Sequence, residues 1–257
     1  MANSNPRLDR EDENTVLGRN AVIELLRGSR EVECVYICDE VPARGQPISR
    51  IVAMAKERGV PVKKVDVKKL DALSNGLPHQ GAAALAAAFS YSTVDDLFAR
   101  AGEEPPFFLV ADGIEDPHNL GAVIRTAEAA GAHGLILPKR GGVGLTPIVG
   151  RTSAGAVEHL PVARVTNLVR TLEELKKRGV WIYGAEAGGG RWEQSDLTGP
   201  VALVIGSEGF GLSRLVRETC DVILSLPMLG KVNSLNASVA AGILMYEVVR
   251  QRTRAER

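Results

Sequence analysis

The sequence predicts an α/β protein built as two units, and three observations carry that expectation. Short apolar strands alternate with amphipathic helical stretches, the order expected of strands joined by crossover helices. A polar break at 93–106 holds Asp95-Asp96 and Gly102-Glu103-Glu104-Pro105-Pro106, and a double proline cannot continue a helix. After the break the strands become apolar on both faces, as in a parallel sheet covered on each side.

The elements follow in order. Residues 1–14 mix polar, acidic and basic side chains and read as a loose, flexible tail. The first unit spans 15–92. Gly18-Arg19-Asn20 leads into a short amphipathic helix, Ala21–Leu26, and Val32–Ile37 reads as a strand. A helix is expected from Ile48 to Arg58, with Ile51, Val52, Met54 and Ala55 inward and Gly59 ending it. Val60–Val65 is a strand, Leu70–Leu73 a helical turn, and Ala82–Phe89 a strand by position, although its alanines would also suit a helix. The second unit, 107–257, opens on the apolar strand Phe107–Ala111. Further strands are expected at Leu135–Leu137, Val180–Tyr183, Val201–Ile205 and Val222–Leu224, with helices at Gly121–Ala130, Leu168–Arg178, Leu212–Thr219 and Ala237–Arg250. Ligands of such a doubly wound layout sit beyond the carboxyl ends of the strands.

Composition excludes more than it identifies. Lys plus Arg equals Asp plus Glu, 31 each, so net charge does not announce a nucleic-acid partner and local patches must decide. Cys34, Cys38 and Cys220 have no second Cys/His pair to complete a metal site. They read as small buried hydrophobes, and so few cysteines suit a reducing cytoplasm. No secretory signal is evident, and no apolar run approaches the roughly 20 residues of a membrane span. A cytoplasmic protein without metal or membrane contact is expected.

Three loops after strands carry the chemistry. The first, Asp112 to Gly121, enters a helix bearing Arg125. If Asn119 caps that helix, Asn119 and Arg125 stand nearly two turns apart and can both face the strand ends. A simple cap and a surface ion-pair partner would account for them equally well. The second loop is Gly206-Ser207-Glu208-Gly209-Phe210-Gly211. Its glycines admit close backbone approach, but it lacks both the dinucleotide fingerprint and the Walker ending. Glu208 suits a ligand with a hydroxyl or a cation rather than a pyrophosphate. The third loop runs from Leu226 to Ser238, where Ser234, Asn236 and Ser238 alternate at a helix start. Capping explains one of these polar residues and leaves the others wanting a partner.

Asp112–Arg125, Val201–Leu212 and Leu226–Ser238 resemble the three signature motifs of the SpoU/TrmH family of RNA ribose 2′-O-methyltransferases, within the SPOUT superfamily. The stretch Ala154–Val162 also fits. Residues 15–92, with Val16-Leu17-Gly18-Arg19-Asn20-Ala21-Val22 and Pro78-His79-Gln80-Gly81, are similar to the RNA-recognition domain of the bacterial members that methylate a guanosine of 23S ribosomal RNA. The resemblance implies a C-terminal parallel sheet with a deep trefoil knot, a topology that periodicity alone would reject. It implies S-adenosyl-L-methionine as methyl donor and a homodimer with its active site near the interface. It assigns donor contacts to Gly206, Leu226 and Leu235, with Met228 and Ala185 as neighbours. Catalytic positions are Asn119, Arg125, Glu208, Ser234 and Asn236, and RNA-binding positions are Arg19, Asn20, His79 and Gln80. The implied reaction is in-line attack of a ribose 2′-hydroxyl on a sulfonium methyl. Family mechanisms make Arg125 the base. An arginine holds its proton in proteins, so a charged clamp on an RNA phosphate is the physical alternative, and its proton role stays open. The expected substrate is 23S ribosomal RNA. The competing readings are the same chemistry on transfer RNA and a non-catalytic RNA-binding member of the fold. A nicotinamide dehydrogenase is disfavoured, because no dinucleotide fingerprint follows an early strand.

Overall fold

The computed structural model describes residues 14–39, 46–231 and 234–255. Apart from Asn14, the tail expected at 1–14 lies outside the described residues. Two compact units emerge. One takes the described residues through Ser90 together with Leu145–His159, and the other takes Tyr91–Gly144 and the chain from Leu160 onward.

In the first unit, strand β1 (Thr15–Leu17), helix α1 (Arg19–Arg27), β2 (Val32–Cys38), α2 (Gln46–Glu57), β3 (Val62–Val65), α3 (Val67–Ser74) and β4 (Ala82–Ala86) follow one another. The sheet order is β1-β4-β2-β3, with β4 antiparallel to both neighbours and β2 parallel to β3. The alanine run is therefore a strand. Pairing on both edges outweighs alanine's helical preference, and its small side chains let Ala82, Ala83 and Ala84 be fully buried. Side chains of β2 alternate between two cores. Val35 and Ile37 pack with Leu25, Ile48 and Ile51, while Cys38 joins Leu17, Leu70 and Ala83. Strand β1 has no counterpart among the expected elements, since three residues carry too little periodicity to read.

The chain continues with α4 (Val94–Ala101), β5 (Phe107–Asp112), α5 (Pro117–Ala129), β6 (Gly134–Pro138), α6 (Pro147–Thr152), β7 (Val162–Val165), α7 (Leu168–Lys177), β8 (Trp181–Arg191), β9 (Val201–Gly206), α8 (Arg214–Thr219), β10 (Val222–Ser225) and α9 (Ala237–Ala255). All of these except α6 belong to the second unit. Its six strands run in the order β10-β8-β9-β5-β6-β7, every neighbouring pair parallel. Central β5 and β9 are buried at every position, which is why they read as unbroken apolar runs.

The break expected at 93–106 contains α4. Thr93 and Asp96 form a capping box at its start, so the acidic pair that suggested a break is a helix's first turn. Leu97 on α4 is fully buried and packs over Gly134, where a Cβ would stand 2.3 Å from Leu97 Cγ. The Arg178 guanidinium lies 3.3 Å over the Phe98 ring.

Leu145–His159 is held within the first unit by close packing and charge. Gly155 has φ +89°, and a Cβ there would fall 2.5 Å from Glu24 Cβ. Glu24 also meets His159 at 2.8 Å, and Arg30 Nη2 lies 2.9 Å from Glu158 Oε1. Burial pushes the Glu158 carboxyl up and the Arg30 guanidinium down, each shift partly offset by the other's charge. Among the described residues no helix is long and apolar enough to cross a membrane.

Candidate active site

A cavity of about 370 Å³ opens where β9 and β10 end and where β8 leaves its pairing with β9. That volume falls in the range of small-molecule sites. Ala185, Gly206, Leu226, Met228 and Leu235 all line it, together with Glu208 and Ser234. Parallel strands place these residues together because all their carboxyl ends face the same way. The walls combine aliphatic side chains, open backbone and carboxylates, a surface suited to a ligand with an apolar ring, hydroxyls and a positive charge.

Gly206 does more than admit a ligand. A Cβ at this position would stand 2.2 Å from the carbonyl carbon of Gly211. Ser207 and Gly211 exchange two backbone hydrogen bonds of 3.0 Å, closing the loop back on the strand end. Glycine at 206 is therefore demanded first by the loop itself. The Ser213 amide donates to Asp112 Oδ2 at 2.6 Å, tying the start of α8 to the end of β5.

The three loops meet in one chain of hydrogen bonds. Asn119 is not the cap of α5. Asp116 caps it, accepting from the His118 amide at 2.9 Å, with Pro117 at the first turn. Asn119 instead sits inside the first turn, buried. Its amide donates a short bond to Glu208 Oε1, and its oxygen accepts from Asn236 Nδ2 at 2.9 Å. Asn236 Oδ1 in turn caps α9, accepting from the Ser238 amide at 2.9 Å and from Ser238 Oγ at 2.6 Å. One residue thus does the capping and the joining. Val232 and Asn233 of this loop lie outside the described residues.

Arg125 stands apart. It is exposed on α5 and does not line the cavity, and its side chain makes no hydrogen bond or ion pair with any described residue. Of the four expected RNA-binding residues, three interlock within the first unit. The Arg19 amide donates to Gln80 Oε1 at 3.3 Å, and Arg19 Nε donates to the Gln80 carbonyl at 2.8 Å. His79 uses both ring nitrogens: Nδ1 accepts from the Gly81 amide at 3.0 Å, leaving Nε2 to donate to Asp71 Oδ1 at 3.1 Å. His79 thereby holds its loop. Asn20 is exposed, and its side chain has no partner among the described residues.

Sequence reasoning missed Glu186, Phe210 and Leu244 in the cavity wall. Glu186 follows directly after Ala185, so a carboxylate just past an apolar strand was the available signal. It accepts from Arg217 Nε at 2.5 Å, and a Cβ on Gly211 would lie 3.2 Å from its Oε1. Leu244 lies far along α9 and gave no signal beyond an ordinary core leucine.

Comparison with known proteins agrees with this geometry. The SpoU rRNA methylase family model matches residues 106–246, and a model for RNA 2′-O ribose methyltransferase substrate binding matches 15–92. A Bacillus subtilis (strain 168) protein bearing the name TrmH family tRNA/rRNA methyltransferase YacO is 52% identical over 240 residues, covering 92% of this chain and 95% of its own. The SpoU methyltransferase AviRb of Streptomyces viridochromogenes, solved in complex with the cofactor AdoMet, aligns with a TM-score of 0.77 at 26% identity, over 97% of this chain and 94% of its own. A structure described as an RNA 2′-O ribose methyltransferase aligns with a TM-score of 0.77 at 27% identity, over 98% of both chains. A matching methylase model across more than half of the chain, a relative identical at every second position and a shared two-unit fold lead to one conclusion: this protein belongs to the SpoU methyltransferase family.

Proposed function

We propose that this protein transfers a methyl group from S-adenosyl-L-methionine to a ribose 2′-hydroxyl of RNA, with a guanosine of 23S ribosomal RNA as the target. The observation that carries this reading is the Asn236–Asn119–Glu208 chain beside a cavity lined by all five expected donor positions. The bound donor supplies an electrophilic methyl on a sulfonium centre. Leu226, Met228 and Leu235 offer apolar walls to its adenine, Gly206 and Ala185 offer backbone, and Glu186 and Glu208 offer negative charge to its cationic parts.

The polar residues handle the ribose. Glu208 accepts from the attacking hydroxyl, and Asn119 fixes the orientation of Glu208. Ser234 and Asn236 hold the ribose against the third loop. Holding the attacking oxygen in line supplies much of the acceleration. Arg125 stays charged and grips the adjoining phosphate, polarising the hydroxyl through its planar fork. Phe210 is 94% exposed where it lines the cavity, and its ring offers a flat face to a base.

An exposed arginine that belongs to the reaction fits a site completed by a second copy. Val239, Ile243 and Tyr246 leave an apolar stripe uncovered along α9, exposed at 50%, 37% and 51%. A homodimer buries such a stripe. The cytoplasm and a knotted C-terminal loop complete the reading. Mapping 2′-O-methylation across total RNA with and without the protein tests the substrate. Loss of a 23S guanosine mark is expected. Loss of a transfer RNA mark instead would establish the competing target, and no change at any RNA position would overturn both.

A further inference from the structure

The first unit contains a second cavity, about 210 Å³, lined by Leu17, Gly18, Asn20, Pro78, Gln80 and Arg151 among others. Its walls come from both matched family models. Arg151 lies beyond the substrate-binding match at 15–92, yet α6 carries it into the first unit. Its lining includes no acidic side chain and no aromatic ring. The side chains of Arg151 and Asn20 have no hydrogen-bond or ion-pair partner among the described residues, and the Gln80 side-chain amide nitrogen has none either. Three polar groups able to donate therefore line one small cleft unspent.

The backbone of the cleft is held in costly conformations. Among the described residues, three non-glycine residues have positive φ, and two of them, Gln80 at 54° and Ala154 at 53°, line this cleft. Such conformations persist where the surrounding structure imposes them, and they gather at binding sites. Here the Arg19 side chain grips the Gln80 carbonyl, and His79 bridges to Asp71 and Gly81. The loop is set before any ligand arrives.

We infer that this cleft holds one ribose-phosphate unit of the RNA strand, with Arg151 on the phosphate and the Asn20 and Gln80 carboxamides on the 2′-hydroxyl. The inference rests on the RNA reading above and deepens it. Without an aromatic face the cleft has no platform for stacking a base. A guanidinium suits phosphate, and carboxamides can both donate to and accept from a hydroxyl that DNA lacks. The cleft therefore positions RNA and distinguishes it from DNA without reading sequence.

The experiment measures binding of the full-length protein to short single-stranded RNAs of differing sequence and to their DNA counterparts, over a series of salt concentrations. Arg151→Ala should weaken every RNA alike and lower the salt slope by about 0.7, the share of one phosphate on a single strand. Asn20→Ala, at an exposed position, should leave the salt slope unchanged and reduce the RNA-over-DNA preference. Melting temperature and S-adenosylmethionine affinity should stay at wild-type values in both variants. Wild-type RNA affinity, slope and RNA preference in folded Asn20→Ala and Arg151→Ala would overturn the cleft while leaving the methyltransferase reading intact. Sequence-selective losses would overturn the backbone clamp in favour of base reading. If the wild-type protein neither binds nor methylates RNA, the underlying reading itself fails, and the cleft assignment with it.

Discussion

The cavity of the second unit and the cleft of the first use polar side chains in opposite ways. In the second unit Asn119, Glu208 and Asn236 are joined to one another, so three loops distant in sequence become one surface. In the first unit the internal bonds are spent on holding a loop, through His79 and Arg19, while Asn20 and Arg151 are left open. A site that must align a reacting hydroxyl needs its groups held by neighbours. A site that grips a strand needs groups free to meet it. Arg125 is the exception in the second unit, because it is open where its expected partners are joined.

That exception yields the largest expected effect. Arg125→Ala should lower methyl transfer roughly 10²–10³-fold, the usual loss when one transition-state donor is removed, with donor affinity unchanged by calorimetry. Arg125→Lys should recover little, because lysine lacks the planar fork. Substantial turnover by Arg125→Lys in a radiolabelled-methyl assay would show that a point charge suffices.

Gly206→Ala tests how firmly the second site is built. The added carbon meets backbone at 2.2 Å, so a loss of about 1–3 kcal/mol is expected, together with weakened donor binding. Gly209→Ala, where nothing lies within 4 Å, should be close to neutral. Equal urea midpoints for the two variants would refute the loop-closure argument.

Gly155→Ala puts the matching question to the first unit. Its positive φ and the 2.5 Å approach to Glu24 Cβ should make the change destabilising by more than about 1 kcal/mol. RNA affinity should fall and S-adenosylmethionine affinity should not. A variant that loses donor binding first would break the separation drawn between the two sites.

The smallest effect concerns Cys220, whose thiol burial pushes up to about 11. Its folded value lies above its ordinary one near 9. The stability contributed by the neutral thiol is thus complete below pH 9 and lost as pH rises through 11. Alkylation at about pH 8 should be slow in the native protein and fast in urea, and rapid native labelling would contradict the burial.

Much of the fold was legible because burial writes itself into periodicity. Central β5 and β9 are covered on both faces, so Phe107–Ala111 and Val201–Ile205 stand out as apolar runs in the sequence itself. Strand β1 was not legible, being three residues long, and neither was β7, whose apolar run Arg164 interrupts. The linker reading of 93–106 missed α4, because Asp95 and Asp96 look alike in a loop and in a first turn. In the site, Gly206, Leu226 and Leu235 were singled out through the motif likeness, and all three line the cavity. Glu186 was passed over, since its significance depends on β8 lying beside β9.

By itself the sequence determined that this chain is α/β, where its central strands run, and which loops are rich in polar residues, because those properties depend on neighbours along the chain. The tertiary structure alone decided that Asn119 bonds to Glu208 rather than capping its helix, and that Gly206 is required by Gly211. It also decided that Arg151 joins the cleft of Asn20 and Gln80. The Asn119–Glu208 bond and the Arg151 cleft join residues far apart in the chain, and Gly206 meets Gly211 through the closure of a short loop; the energy of such contacts depends on distance in space, which no spacing along the chain records.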